Sequence, residues 1–200
     1  MIAAVVFDLD GVLIDSEQLW DQSRREVAAA SGVSWPEGAT VAMQGMSAPE
    51  WSRYMRDEVG VPRRVEEIND LVLSHLLRHY RAGLPLLPGA VEAVSRLGAR
   101  WPLGLASSSN RVVIDEVLTL AGLASAFGVT VSSEEVERGK PSPDVYLEAA
   151  RRLGVEPGAC AAVEDSGSGI RSAVAAAMKV VDLWQQVSRA QHAFSQELRR

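Results

Sequence analysis

Residues 5–17, VVFDLDGVLIDSE, decide how the rest of the chain is read: a β-branched apolar run ends abruptly in two acids one residue apart. Residues 2–7 have the composition of a strand buried on both faces, which belongs inside a parallel sheet. Asp8, Asp10, Gly11 and Asp15 then break it. In extended backbone, positions i and i+2 point the same way, so Asp8 and Asp10 are expected to aim two carboxylates into one crevice, about 7 Å apart along the strand. Like charges in one crevice repel unless something positive sits between or beside them.

Outward from this strand, strand and helix patterns alternate, the mark of a parallel sheet with helices on its faces. Further strands are expected at 102–106, 127–131, 159–163 and 179–183, with helices near 89–97, 110–121, 143–153 and 168–177. Between the first two strands lies a stretch of helical periodicity too long for a crossover. It reads as a helical cap, residues 16–86, inserted into a core domain made of 1–15 and 87–200. The turn-rich GLPLLPG is its return hinge, and the expected motion is opening and closing of the cap about Ser16 and the 84–88 segment.

Composition narrows the class. With 47% hydrophobic residues in a chain of 200, the sequence can bury a full core. A net charge of −6 without a basic stripe argues against nucleic acid as a partner. The N-terminal apolar run is too short for a membrane span and ends in acids, so no membrane is expected and the cytoplasm is the default. The expected assembly is a monomer or weak dimer. Cys160 stands alone and reads as a buried strand residue. Of the 20 basic residues only Lys140 and Lys179 are lysine, so a retained lysine hints at a need for a compact ammonium.

Polar residues gather where three expected strands end at their carboxyl edge, the place where ligands of open α/β sheets bind. After the first strand come Asp8 and Asp10. LASSSN with Ser107 follows the second, VEDSGSG with Glu164 and Asp165 the fourth, and RGKPSPDVY puts Lys140 in a loop before a helix. Each alone has a bland reading as a solvated loop, a helix cap or a turn. Together, acids for a divalent cation, a hydroxyl and an ammonium for an anion, and a carboxylate nucleophile make one phosphoryl-transfer site. In the 16–86 insertion, His75 and His79 stand at i, i+4 and read as a solvated helix face. Trp20, Trp35, Trp51 and Tyr54 read as cap packing, with Trp20 placed to overhang the site.

DLDGVLIDSE, LASSSN, GKPSPDVY and VEDSGSGI, in this order and spacing, resemble the four motifs of the haloacid dehalogenase superfamily. The helical insertion resembles the cap of its β-phosphoglucomutase-like subfamily. The resemblance implies a Rossmann-like, doubly wound α/β fold with strand order 5-4-1-2-3. It implies Asp8 as the nucleophile forming an aspartyl phosphate and Asp10 as the acid and base. It implies Mg²⁺ held by the Asp8 carboxylate, the Asp10 backbone carbonyl and Asp165, with Glu164 a ligand or one water away. Ser107, with Ser108 beside it, and Lys140 would bind the phosphoryl group, and Gly11 would let backbone near Leu9 approach it. The turn Gly45, Met46, Ser47 resembles the cap's specificity loop.

Departures from the family pattern point to a particular activity. Trp20 and Ala48 stand where a β-phosphoglucomutase has a histidine and a phosphate-gripping arginine, so no cap cation is expected to hold a second phosphate. The insertion contains no lysine for the Schiff base of the phosphonatase branch. The expected function is therefore a Mg²⁺-dependent phosphatase of a small phosphorylated metabolite, with a β-phosphoglucomutase-type mutase or a catalytically silent binding protein as alternatives. Ala177 replaces a glycine common in relatives, and residues 182–200 read as one proline-free helix where relatives have a proline-containing turn.

Overall fold

The computed structural model of the protein describes residues 1–44 and 46–182. Five strands, β1 (Ala4–Phe7), β2 (Leu103–Ser107), β3 (Val129–Ser132), β4 (Cys160–Glu164) and β5 (Lys179–Asp182), form one sheet in the order β3-β2-β1-β4-β5. Every pairing is parallel, and the order is the expected one written from the other edge. β1 sits in the middle, with Val6 opposite Gly104 on one side and Ala162 on the other. All four of its residues are buried, as its unbroken apolar run requires.

Helices α5 (Ala90–Gly98) and α6 (Arg111–Leu120) follow the sheet's first face, and α7 (Asp144–Leu153) and α8 (Gly167–Ala175) the second. Each face has its own apolar layer. Val5, Phe7 and Leu105 belong to a cluster with Val113, Ile114 and Val117 of α6, while Val6, Ala106 and Ala162 belong to one with Val145, Tyr146 and Ala149 of α7. Alternate residues of each strand thus supply alternate faces. Cys160 is fully buried in β4.

Between β1 and β2 the chain forms α1 (Glu17–Ala30), α2 (Ala39–Ala42), α3 (Ala48–Asp57) and α4 (Val65–Ala82). They enclose a separate cluster that includes Val27, Met43, Trp51, Met55, Ile68 and Val72. The two connections to the sheet run side by side: the Asp15 amide donates to the Pro85 carbonyl at 2.8 Å and the Leu87 amide to the Leu13 carbonyl at 2.9 Å. α4 also rests on the core, where Leu73, Leu76 and Tyr80 join the cluster under α6 and Arg81 pairs with Glu116 at 2.6 Å.

His75 and His79 are not a solvated face. Their Nδ1 and Nε2 lie 2.5 and 3.1 Å from the Glu26 carboxylate, which ties α4 to α1, and Arg78 joins the same carboxylate at 2.9 Å. Ala177 adopts a left-handed backbone with φ of 59°, the conformation for which glycine is suited. Residues 183–200, nearly all of the expected C-terminal helix, lie outside the described residues, as does Gly45.

Candidate active site

The strand ends and the insertion enclose a cleft of about 770 Å³, lined on the sheet side by Asp8, Asp10, Gly11, Lys140 and Asp165. β1 stops at Phe7, and just beyond its end Asp8 and Asp10 both line this one cleft, as their two-residue spacing implied.

Asp8 faces inward. The Lys140 ammonium donates to Asp8 Oδ1 at 2.8 Å and to Glu164 Oε1 at 2.6 Å, and its side chain is 3% exposed. Tyr146 donates its hydroxyl to the same Glu164 oxygen at 2.7 Å, and its ring lies 5.0 Å from the ammonium. Glu164 Oε2 accepts the Asp165 and Ser166 amides at 3.1 and 3.2 Å and the Ser166 hydroxyl at 3.2 Å. Glu164 thus has both oxygens engaged and serves as the anchor of Lys140.

Asp10 is held from two sides. Ser109 donates its hydroxyl to Oδ2 at 2.6 Å from the loop after β2, while the Ser16 hydroxyl and the Trp20 indole at 3.4 Å donate to Oδ1 from the insertion. Ser16 was expected only to fix the hinge; here it also positions an acid. Trp20 overhangs the site as its position in the sequence implied.

The acids crowd one another. One carboxylate oxygen from each of Asp8, Glu164 and Asp165 lies within 4.8 Å of the others, so three carboxyl groups share one ammonium. Burial, with repulsion from Glu164 and Asp10, pushes the Asp8 carboxyl up to about 8 against the pull of Lys140. Burial and Glu164 likewise raise Asp165 to about 6. Burial opposes the charge of Lys140, but Asp8 and Glu164 overcome it and its pKa is raised. Asp165 Oδ1 is buried without a hydrogen-bond partner. A bare carboxylate oxygen, an all-oxygen donor set and more carboxyl groups than cations fit a hard divalent cation.

Two glycines shape this ground. A Cβ on Gly11, whose φ is +75°, would lie 2.0 Å from Asp165 Oδ2, and one on Gly169 would lie 1.8 Å from Glu164 Oε1. The Gly11 amide donates to the Ile14 carbonyl at 2.8 Å, so that donor closes the turn. Leu9 is fully buried, and its carbonyl accepts the Leu13 amide at 2.8 Å. Ser107 is fully buried as well; its oxygen accepts the Ser109 amide at 3.0 Å, and the cleft wall there consists of Ser108, Ser109 and Asn110. Met46 lines the cleft, whereas Ser47 caps α3, its amide and hydroxyl donating to Glu50 at 2.7 and 2.6 Å.

One cation of the insertion, Arg24 of α1, lines the cleft. Sequence reading passed over it because its significance depends on which face of α1 turns inward. Ser109 and Gly169 were missed because their roles appear only in their contacts with Asp10 and Glu164.

A doubly wound parallel sheet with a buried lysine and clustered carboxylates at its carboxyl edge, under a helical insertion, defines an α/β protein with its candidate site between sheet and insertion. The chain belongs to the haloacid dehalogenase-like hydrolases, whose family model matches residues 2–177. It is similar to hexitol phosphatase B of Escherichia coli K12, 36% identical over 187 residues that cover 90% of this chain and 82% of that protein. Among solved structures it resembles CbbY from Rhodobacter sphaeroides in complex with phosphate, with TM-score 0.82, 28% identity and coverage of 90% and 85%. The β-phosphoglucomutase of Clostridium difficile, 21% identical with TM-score 0.79 over the whole of both chains, shares the fold. The chain is a hydrolase of phosphomonoesters. No helix among the described residues is long and apolar enough to cross a membrane.

Proposed function

We propose that the protein hydrolyses a small sugar or polyol phosphate by way of an aspartyl phosphate on Asp8. The observation that carries this reading is the Lys140 ammonium shared between Asp8 and Glu164 at 2.8 and 2.6 Å, beside the bare oxygen of Asp165. A carboxylate fixed at one oxygen by an ammonium has its direction set, and the same ammonium stands where charge gathers on a transferring phosphoryl group.

In the first step an Asp8 oxygen bonds to phosphorus while the bond to the leaving oxygen breaks, and Asp10 supplies the proton that makes the leaving group an alcohol. In the second, Asp10 takes a proton from water, whose oxygen attacks phosphorus and frees Asp8 and inorganic phosphate. Ser109 from the sheet and Ser16 with Trp20 from the insertion hold Asp10 in place for both proton transfers. Asp8 and Asp165, with the Asp10 carbonyl, would hold Mg²⁺, and Glu164 stands behind them. Bound there, the ion supplies charge neutralisation that lets an anion approach the acids. The helical insertion, linked at Ser16 and 84–88, covers the cleft and excludes bulk water.

The test is release of inorganic phosphate from sorbitol 6-phosphate, fructose 1-phosphate and p-nitrophenyl phosphate, with and without Mg²⁺. Release from at least one compound that stops on chelation is the expected result; no release from any of them overturns the proposal.

A further inference from the structure

Arg24 is 9% exposed, lines the cleft, and forms no hydrogen bond or ion pair among the described residues. Its Nε is buried without a partner. The neighbouring Arg25 shows the ordinary alternative, being exposed and paired with Asp21 at 2.6 Å. The Arg24 guanidinium carbon lies 5.3 Å from the Trp20 ring and 5.1 Å from the Trp51 ring, and these rings stand 5.9 Å apart at 59°. Two indole faces therefore fix its position.

The acids that act on it from further away are all engaged elsewhere. Asp21 holds Arg25 and Thr40, Glu17 holds Gln44, and Asp10 holds Ser16, Ser109 and Trp20. Burial lowers the Arg24 pKa to about 10, so the group stays charged at neutral pH. A buried guanidinium attracted by these acids but hydrogen-bonded to none of them keeps unsatisfied donors, and an anion arriving from the cleft satisfies them with a bidentate pair.

We propose that Arg24 binds a second anionic group of the substrate, so that the protein prefers phosphomonoesters carrying a further phosphate or carboxylate. This rests on the reading that Asp8 accepts the transferred phosphoryl group. Trp20 joins the two regions: its indole nitrogen lies 3.4 Å from Asp10 Oδ1 while its ring carries the guanidinium, so Arg24 faces the same cleft as Asp8 and Asp10. The protein's net charge of −6 works against indiscriminate uptake of anions, so a preference for the doubly charged compound requires a local site.

Matched probes test this by titration calorimetry on the full chain: 6-phosphogluconate against sorbitol 6-phosphate, and fructose 1,6-bisphosphate against fructose 6-phosphate. The wild type is expected to bind the doubly anionic member of at least one pair about tenfold more tightly or better. The pair that shows the gap identifies carboxylate or phosphate as the second group. Arg24→Gln is expected to abolish the gap and Arg24→Lys to keep part of it, because a point charge replaces a planar fork. Equal affinities within both pairs in the wild type overturn the inference without recourse to any variant, as does a gap that survives Arg24→Gln. Should none of the four probes release phosphate while the binding gap holds and needs Arg24, the phosphatase reading fails and this assignment stands. Phosphate release without any gap leaves that reading intact and removes this one.

Discussion

Gly169→Ala places two familiar effects in opposition, and the structure decides between them. Gly169 lies in the first turn of α8, where alanine is the better helix former by up to about 1 kcal/mol. A methyl group there would stand 1.8, 2.1 and 2.2 Å from the Oε1, Cδ and Oε2 atoms of Glu164. Glu164 is fully buried and cannot swing away without loosening bonds to Lys140, Tyr146, Asp165 and Ser166. Forcing a methylene-sized group into a packed site costs about 1–3 kcal/mol, and each hydrogen bond lost from a charged group about 1.5–3 kcal/mol. Even with one bond lost and the helix gain of about 1 kcal/mol subtracted, the variant should be destabilised by about 1.5–5 kcal/mol. For a chain of this size that lowers the melting temperature by roughly 3–20 °C. Activity should fall as well, because Lys140 loses its anchor. Gly83→Ala is the control, since its backbone is extended with φ of 179° and a Cβ there meets nothing within 4 Å; it should change stability by less than about 0.5 kcal/mol. Melting curves and urea unfolding of both variants read the difference. A Gly169→Ala protein as stable as the wild type, or more so, would refute the reasoning.

Three further outcomes are expected. Lys140→Ala should lower kcat/KM by about 10² to 10³ or more, with Lys140→Arg only a partial rescue because a planar fork does not fit a site between two carboxylates; full rescue by arginine in steady-state assays would contradict the point-charge role. Ala177→Gly should raise stability by about 1 kcal/mol in urea unfolding without altering kcat, because it removes a left-handed alanine; an unchanged or lowered midpoint would count against strain there. Glu26 is held down to about 2 from an ordinary 4.5, first by its hydrogen bond with His75 and further by Gln22 and His79. A depressed carboxyl stabilises the fold above its unfolded pKa and loses that contribution as pH falls through the folded one, so the melting-temperature advantage of wild type over Glu26→Gln should shrink between about pH 4.5 and 2; a constant difference across that window would dismiss the linkage.

Periodicity carried most of the fold. The buried run of β1 and the apolar faces of the later helices are local patterns, and the parallel pairing follows from their alternation. The insertion was legible because no crossover needs so many helical residues. Asp8, Lys140, Glu164 and Asp165 were legible as strand-end and loop residues, and the structure brings them together. Asp10 was legible in the same way, and it shares the cleft with Asp8. Ser109 owes its place to a contact with Asp10, far away in sequence, and Gly169 to the way Glu164 folds back under the first turn of α8. Arg24 looked like one surface arginine among many until Trp20 and Trp51 closed around it. The histidine pair on α4 misled for the same reason, since its carboxylate partner lies on α1.

The central claim is covalent attachment of phosphate to Asp8, and chemical trapping tests it most directly. Enzyme turning over a sugar phosphate with Mg²⁺ is quenched in acid, reduced with borohydride, which converts an acyl phosphate to an alcohol, and digested for mass spectrometry. The account predicts reduction at Asp8 alone, dependent on substrate and absent from Asp8→Asn, with Asp10 unmodified. Reduction at Asp10, or undiminished phosphate release by the Asp8→Asn protein, would contradict it.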